Sequence, residues 1–308
     1  MTFKKAAIIY TPKIGKRKEF KNTSQLLALI KKISVEFPVF FETKSIEDTR
    51  SFISESLAKK EFDVILVAGG DGLISTVCNA LMAVDKDLRV PFLPLPMGSG
   101  NTFAADLNIN SIKQAFDLAQ KSLSVSKIDL LKVTTQEKTF YCVNVLGAGF
   151  ITDSTIIAEK SGKKLGAFSY ILAVFKALRF MRNYNIKLSD RNGNTIFQSS
   201  RSVLLSFNNN SKTGAAFKMA PNALVNDGLT DVIILHDISR RELLAGFLKI
   251  FNGEHIYCRG CEYFQTDYAK VETSPNMALM PDGEIFGSSP FELEVISGEL
   301  EVAVQLVI

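Results

Sequence analysis

The sequence predicts an α/β plus β protein with two domains. Residues 1–126 should form a Rossmann-like parallel α/β domain. Residues 127–308 should form an antiparallel, β-sandwich-like domain with helices, whose last strand is a candidate to return to the first domain. Three observations lead to this prediction: the 308-residue length, the strand–helix alternation of the first part, and the short β-rich runs of the second. The active site is expected in the cleft between the domains.

The elements of the first domain follow in chain order. The strand candidates are KAAIIYTP, VFFET, DVILVAGG and VPFLPLP, and the helix candidates are SQLLALIKKI, a segment from Ser45 to Leu57, LISTVCNALM and SIKQAFDLAQ. Apolar residues recur at helical spacing in the helix candidates. Ser45 and Asp48 form a capping-box pattern that should begin the second helix. DVILVAGG is a continuous apolar run, which is typical of a strand buried on both faces.

The second domain is predicted mainly from short β patterns. Its strand candidates are KIDLLKVTT, TFYCVNVLG, NIKLSD, NTIFQ, SVLLSF, TDVIIL and FELEVISGELEVAVQLVI. Asn192-Gly193 is a strong hairpin signal between two of them. The helical patterns are KKLGAFSYILAVFKALRFM, interpreted as a core helix, and RRELLAGFLKIF.

Composition excludes several classes of function. The net charge of +4 is too small to indicate a nucleic-acid partner, but it would not repel an anionic membrane. Four cysteines and two histidines lack the spacing of a structural zinc site. No window approaches the ~18 apolar residues of a membrane span. We therefore expect a cytoplasmic protein with peripheral contact at the inner membrane surface.

Two glycine-rich loops indicate a phosphate site. In VAGGDGL an apolar strand ends in three glycines around Asp71, and Pro94-Leu-Pro-Met-Gly-Ser-Gly-Asn101 repeats the pattern one βα unit later. Glycines let backbone amides approach phosphate oxygens, and consecutive parallel strands place their loops at one sheet edge. An ordinary tight turn is the alternative. Neither loop is a Walker A or dinucleotide motif.

Two acidic turns complete the candidate chemistry. Pro281-Asp-Gly-Glu284 reads by itself as a hairpin turn with a solvated acid, and Asn226-Asp-Gly228 as a turn between strands. Beside Asp71, however, a carboxylate from the first turn could accept the proton of a hydroxyl in phosphoryl transfer. The oxygen donors of the second turn, Asn226-Asp-Gly228, are of the kind that binds magnesium.

These segments together resemble the lipid kinase family built on the diacylglycerol kinase catalytic domain, which includes sphingosine kinases. GGDG and GSGN are similar to its two hallmark loops. The resemblance continues, in family order and over nearly the whole chain, through GAGFITD, KLGAFSYILAVFKAL, APNALVNDGLTDVII, GEH and PDGE. It implies an ATP-dependent kinase that uses magnesium and phosphorylates a hydroxyl of a membrane-derived lipid, with a homodimer left open.

The resemblance also implies roles for individual residues. The expected ATP contacts are Thr11, Pro12, Lys13, Gly15, Thr43, Gly69, Gly70, Asp71, Gly72, Leu73, Ile74, Ser75, Gly98, Ser99, Gly100 and Asn101. Glu284 or Asp282 is expected as the base with Asp71 in the magnesium–phosphate network, or these roles are reversed. The carbonyls of Leu224 and Leu229 with the carboxylate of Asp227 resemble the family's structural magnesium site.

Departures from the family pattern leave the substrate open. Leu73 and Thr102 stand where bacterial diacylglycerol kinases usually have Thr and Asp, which brings both loops closer to sphingosine kinases. Asp153 or Thr155 lies where those enzymes carry an acid for the substrate amine. Two alternatives remain: a kinase similar to nicotinamide-nucleotide kinases, which the later segments disfavour, and a catalytically silent nucleotide- or lipid-binding protein.

Overall fold

A computed structural model describes residues 4–11, 37–121, 125–160, 176–214 and 217–304. The chain forms two compact units. The first contains Met1–Leu130 together with Ser297–Ile308, and the second contains Leu131–Ile296. The chain therefore divides four residues after the predicted boundary at 126, and its C-terminal segment belongs to the first unit.

The first unit is built on a parallel sheet. Its elements are β1 (Lys5–Tyr10), β2 (Phe37–Glu42), α1 (Ile46–Ala58), β3 (Val64–Gly69), α2 (Asp71–Met82), β4 (Phe92–Pro96), α3 (Thr102–Asp106) and α4 (Ile112–Lys121). The strand order is β2-β1-β3-β4, with every pair parallel. Every residue of β3 is buried, as its continuous apolar pattern predicted, and every residue of β4 is buried as well.

Local signals set the start of α1. The Ser45 side chain accepts a hydrogen bond from the Asp48 N–H at 3.0 Å, which confirms half of the predicted capping box. The Asp48 carboxylate reaches the Lys44 N–H at 3.1 Å, one residue before the cap. The predicted helix SQLLALIKKI lies outside the described residues.

The second unit is mainly antiparallel. Its elements are β6 (Thr139–Cys142), β7 (Val145–Gly149), α5 (Phe150–Lys160), β8 (Tyr184–Ser189), β9 (Thr195–Asn208), β10 (Thr230–His236), α6 (Arg240–Lys249), β11 (Cys261–Thr266), β12 (Tyr268–Ser274) and β13 (Leu279–Pro281). Two further strands, β5 (Ser126–Thr135) and β14 (Phe291–Val302), contribute residues to both units.

One long strand organises the second unit. NTIFQ and SVLLSF, predicted as separate strands, form the single 14-residue strand β9. Its first half pairs with β8 across the predicted Asn192-Gly193 turn, and its second half pairs with β7 and β10. Gly193 has a φ of +84°, as that hairpin requires. The helix pattern KKLGAFSYILAVFKALRFM falls mostly on residues outside those described.

The sheet of the second unit has a core on each face. Val232 and Ile234 of β10 enter one cluster, and Ile233 between them enters the other. Because neighbouring side chains of a strand point to opposite faces, a strand with two cores must be apolar at every position. This explains the unbroken run in TDVIIL. In the described part of the chain, no helix is long and apolar enough to cross a membrane.

Two ion pairs connect the C-terminal segment to the rest of the first unit. Val302 of β14 pairs in parallel with Phe92 of β4. Nearby, Glu299 accepts hydrogen bonds from Lys86 at 2.8 Å and from Arg89 at 2.6 Å. The Lys86 hydrogen bond, joined by that of Arg89, holds the pKa of Glu299 below its usual range against the effect of partial burial.

Glu299→Gln should therefore destabilise the first unit by about 1–2 kcal/mol at pH 7, because two charge-assisted hydrogen bonds weaken. Since the pKa is depressed in the folded state, this stability is present above the unfolded pKa of about 4.3 and is lost as the pH falls further. Urea denaturation at pH 7 and pH 3 measures both effects. Glu301→Gln is the matched control, because Glu301 forms no ion pair with a described residue. An equal loss at both pH values would contradict the account.

Candidate active site

The two glycine-rich loops lie side by side in the first unit. Strands β3 and β4 are parallel neighbours with Gly69 opposite Pro96, and the Met97 N–H donates to the Gly69 carbonyl at 3.0 Å. Both loops therefore begin at the carboxyl edge of the sheet, as predicted. Open α/β sheets bind their ligands at this edge.

The loops touch through their backbones. A Cβ added to Gly98 would lie 2.3 Å from the Gly70 Cα, and a Cβ added to Gly70 would lie 2.9 Å from the Gly98 Cα. No side chain fits in either place without moving main chain. These two glycines are thus required for contact between the loops, a reason that the sequence alone did not reveal.

Asn101 fixes the shape of the second loop. Its φ is +51°, in the left-handed region that Asn tolerates better than most residues. Its side-chain oxygen accepts from the Gly98 N–H at 2.6 Å, and its amide donates to the Gly98 carbonyl at 3.1 Å. Ser99, between them, is exposed. The loop therefore presents a hydroxyl from a backbone that is held on both sides.

Asp71 connects the two loops. One carboxylate oxygen accepts the Phe103 N–H at 3.0 Å, at the start of α3. Asp71 is itself the first residue of α2, whose N-terminus has no side-chain cap. A helix N-terminus after a glycine loop carries unpaired N–H groups and a partial positive charge, which favour an anion. Asp71 therefore has a structural contact in addition to its predicted chemical role.

Several predicted nucleotide contacts have side chains that are used inside the protein. Leu73 and Ile74 are buried, and Leu73 packs over Gly69, where a Cβ would meet its Cδ2 at 2.7 Å. The Thr43 hydroxyl donates to the Ser45 carbonyl at 3.0 Å and contacts the Thr49 hydroxyl. These residues could offer a nucleotide mainly backbone groups. Leu73, a departure from the family pattern, is explained by packing.

The other residues of the first unit that the sequence analysis singled out have the following positions. Thr11 follows β1, while Pro12, Lys13 and Gly15 lie outside the described residues. Ser75 is partly exposed on α2, and Thr102 is buried at the start of α3.

In the second unit, the Asp282 carboxylate forms hydrogen bonds with backbone N–H groups. Its two carboxylate oxygens accept the N–H groups of Val143 at 3.0 Å, Asn144 at 2.8 Å and Val145 at 3.1 Å. Asp282 also has a φ of +47°. A carboxylate that satisfies three consecutive amides holds a turn in place, and this geometry favours a structural role for Asp282 over the base role.

The carbonyl groups of the same segment accept hydrogen bonds from a residue that the sequence analysis missed. The Asn209 N–H donates to the Asn144 carbonyl at 2.8 Å, and its side-chain amide donates to the Val143 carbonyl at 3.0 Å. Asn208, Asn209 and Asn210 are all essentially inaccessible to solvent. The sequence contains a signal for this role: three consecutive Asn residues follow an apolar strand, and buried side-chain amides require hydrogen-bond partners.

Glu284 remains available for chemistry. It lies two residues after Asp282, its N–H donates to the Pro281 carbonyl at 2.9 Å, and its side chain is exposed. Its carboxylate makes no hydrogen bond with a described residue. Asp71 belongs to the first unit and the Asp282–Glu284 turn to the second, so their approach to one another stays a prediction.

The two substrate candidates lie on α5. Burial raises the pKa of Asp153, while the nearby positive charge of Arg182 opposes this shift. The Thr155 hydroxyl donates to the Ile151 carbonyl of its own helix at 3.1 Å. Asp153 is therefore the more available of the two to a ligand.

An apolar cavity of about 100 Å³ lies in the second unit. It is enclosed by α5, α6 and the sheet, with Ser154 adjacent to Asp153 in its wall. Its apolar lining includes Phe150, Ile151, Leu204, Met219, Ile233, Leu243, Phe247 and Ile250. Such a lining would exclude water and accept hydrocarbon.

His255 and Ser154 are buried polar residues in the wall of this cavity. Burial lowers the pKa of His255, so the ring is neutral near pH 7. Its Nε2 lies 2.9 Å from the Met219 carbonyl, which can only accept, so Nε2 carries the proton. The histidine of the GEH segment is therefore part of the cavity wall.

The predicted magnesium site is a turn with oxygen donors. Asp227 accepts the Leu229 N–H at 3.0 Å, and Leu224 is exposed. Burial raises the pKa of Asp231, and the charge of Asp227 adds to this shift. No cluster of three His, Cys, Asp or Glu residues with metal-site geometry occurs in the described ranges.

Comparison with known families gives two matches that together cover most of the chain. Residues 5–133 match the family described as "Diacylglycerol kinase catalytic domain". Residues 107–304 match the "YegS C-terminal NAD kinase beta sandwich-like domain". The prediction of an α/β domain followed by a β-rich domain is confirmed.

Individual relatives agree with these matches. The chain is 30% identical to a diacylglycerol kinase of Bacillus subtilis, and the aligned region covers 94% of this chain and 92% of that protein. It is 31% identical to a Yersinia pestis protein named "Probable lipid kinase YegS-like" over 81% of each.

Solved structures share the fold. The crystal structure of a diacylglycerol kinase from Bacillus anthracis superposes with a TM-score of 0.74 at 19% identity over the full length of both chains. An NAD kinase from Archaeoglobus fulgidus has a TM-score of 0.53 at 13% identity, covering 97% of this chain and 92% of that one.

Gly98→Ala should destabilise the protein by about 2 kcal/mol or more, because the new Cβ would overlap the Gly70 backbone. Chemical denaturation measures the loss. Gly246→Ala is the matched control: a Cβ there meets nothing within 4 Å, and within helix α6 the change should be neutral or stabilise by about 0.5–1 kcal/mol. Equal stability of Gly98→Ala and the wild type would show that the loops do not touch.

Proposed function

The chain belongs to the lipid kinase family of the diacylglycerol kinase catalytic domain, and from this premise we propose that it transfers the γ-phosphoryl group of ATP to a hydroxyl of a membrane-derived lipid. The observation that supports this most directly is the apolar cavity of the second unit. A nucleotide or sugar acceptor would need polar walls, whereas the acyl chain of a lipid is matched by Phe150, Ile233 and Phe247.

ATP is proposed to bind at the carboxyl edge of the parallel sheet. The uncapped N-terminus of α2, which follows Gly70, offers N–H donors to phosphate oxygens. The Ser99 hydroxyl adds a further donor. Asp71 keeps this arrangement together through the Phe103 N–H, and its second oxygen would act on a phosphate-bound cation.

Glu284 is proposed as the general base. It is the exposed acid of its turn, and Asp282 positions it by binding the amides of residues 143–145. Magnesium, when bound, would neutralise the charge of the phosphates. Asp71 would hold the magnesium at the phosphates, and the Asp227 turn would hold a structural ion with the carbonyls of Leu224 and Leu229. Glu284 would take the proton from the lipid hydroxyl as the phosphoryl group is transferred.

A neutral diacylglycerol fits the site better than a cationic sphingoid base. An amine would need an acid that is ionised and free of competing cations. Arg182 lies close enough to Asp153 to influence its charge, and burial disfavours the ionised form. Relatives named diacylglycerol kinase point the same way.

Two other functions follow from specific features. A nicotinamide-nucleotide kinase is suggested by the shared fold with an NAD kinase. A catalytically silent binding protein is suggested by Leu73 and Thr102, the two departures from the family pattern, whose side chains are both buried.

A transfer assay with labelled ATP and magnesium separates these functions. We expect phosphorylation of diacylglycerol to exceed that of sphingosine, ceramide, phosphatidylglycerol and NAD, because the cavity is apolar and Arg182 opposes an amine. Phosphorylation of NAD alone would overturn the lipid assignment. ATP binding without any transfer would favour the silent protein.

Glu284→Gln should lower turnover at least ~10²-fold, because the base is lost, while thermal stability stays near that of the wild type. Asp282→Asn is the paired variant, two residues away. It should lower stability by about 1–3 kcal/mol, because three amides lose a charged acceptor. Steady-state kinetics and thermal melts measure both. Full activity of the Glu284→Gln variant would show that Glu284 is not the general base.

A further inference from the structure

The proposed lipid kinase must draw its substrate from a bilayer, and the structure contains a surface suited to that contact. Three of the large apolar side chains that are exposed in the described residues lie within ten residues of one another. Leu248 is 64% exposed, Phe251 42% and Tyr257 82%. We name these three residues the apolar tip.

The apolar tip is joined to the cavity of the second unit. Phe247 and Ile250, on either side of Leu248 and Lys249, line the cavity, and Cys258 lines it directly after Tyr257. The Phe251 ring lies 5.2 Å, centroid to centroid, from the ring of Phe217, another lining residue, in a tilted arrangement. A lipid chain entering the cavity on this side would pass the apolar tip.

The apolar tip is held rigidly. The Gly253 N–H donates to the Lys249 carbonyl at 3.1 Å, and the Lys218 N–H donates to the Ile250 carbonyl at 2.9 Å. Gly253 has a φ of +84° and packs against Pro221. The exposed apolar side chains are therefore displayed from a fixed turn, so little ordering entropy would oppose their insertion.

The charges around the apolar tip complement an anionic surface. The segment 240–259 holds four cations, Arg240, Arg241, Lys249 and Arg259, against two acids, Glu242 and Glu254. Glu242 is already paired with Arg259 at 2.8 Å. Lys218 and Lys249 form no ion pair with a described residue and are exposed.

We propose that the apolar tip and these two lysines form a docking surface for an anionic phospholipid bilayer. Leu248, Phe251 and Tyr257 enter the interface between headgroups and acyl chains, and Lys218 and Lys249 contact lipid phosphates. The inference rests on the proposed function, since it explains how a bilayer lipid reaches the cavity. It assigns membrane contact to residues that sequence analysis left without a role.

The absence of tryptophan from the chain allows a direct test. Tyr257→Trp introduces a single indole fluorophore at the most exposed position of the apolar tip. On adding vesicles of phosphatidylcholine and phosphatidylglycerol, without ATP, we expect emission to shift to shorter wavelength and to be quenched by brominated acyl chains. Ile196→Trp is the matched control, because Ile196 is 40% exposed on β9 and should stay in water.

Second-site changes in the Tyr257→Trp protein separate the two parts of the surface. Leu248→Ser should weaken vesicle binding roughly tenfold or more, since an inserted side chain is lost. Lys218→Gln and Lys249→Gln should each weaken it roughly fivefold on anionic vesicles and leave binding to pure phosphatidylcholine unchanged. Activity on substrate dispersed in detergent should be retained in all three variants.

The outcomes distinguish this inference from the proposed function. Transfer to diacylglycerol, combined with a Tyr257→Trp emission that does not respond to vesicles, would overturn the docking surface alone. Insertion without any transfer would overturn the kinase assignment and leave the docking surface in place. A shift that depends on protein concentration and not on vesicles would show that a second copy of the chain covers the apolar tip, which also overturns the inference.

Discussion

The backbone contact between Gly70 and Gly98 is the constraint on which the first unit's site depends. Two neighbouring parallel strands end at one edge of the sheet, and their loops can share that edge only if main chain packs on main chain. Asp71 and Asn101 then secure the contact through the Phe103 and Gly98 amides. The glycines therefore let the loops meet, and the uncapped start of α2 after Gly70 leaves backbone N–H groups where a phosphate would lie.

The second unit uses buried polar groups for a related purpose. Residues 143–145 are held by Asp282 through their N–H groups, and residues 143–144 are held by Asn209 through their carbonyls. These hydrogen bonds fix the turn that carries Glu284. Elsewhere in the same unit, an apolar cavity is lined by residues of α5, α6 and the sheet. Rigid polar anchoring of an acid and an apolar volume for hydrocarbon are the two properties that a kinase of lipid hydroxyls requires.

Much of this could be predicted from sequence because the relevant signals are local. Strand β3, the Ser45 cap, the Asn192-Gly193 hairpin and the position of the glycine loops follow from patterns within a few residues. The role of Asp282 could not be predicted, because its partners lie about 140 residues earlier in the chain. The same is true of Asn209, and of Gly70 and Gly98, whose contact depends on strand pairing. Sequence identifies the residue types that a site needs, whereas only the fold shows which of them serve as supports.

The central claim is that Glu284 and the two glycine loops act on one phosphoryl transfer between ATP and a lipid hydroxyl. The most direct measurement is a crystal structure with a non-hydrolysable ATP analogue, magnesium and a short-chain diacylglycerol. The account predicts phosphates against residues 69–72 and 98–101, an acyl chain in the apolar cavity, and the lipid hydroxyl within about 2.6–3.2 Å of Glu284. A nucleotide bound away from those loops, or a lipid hydroxyl far from Glu284, would contradict it.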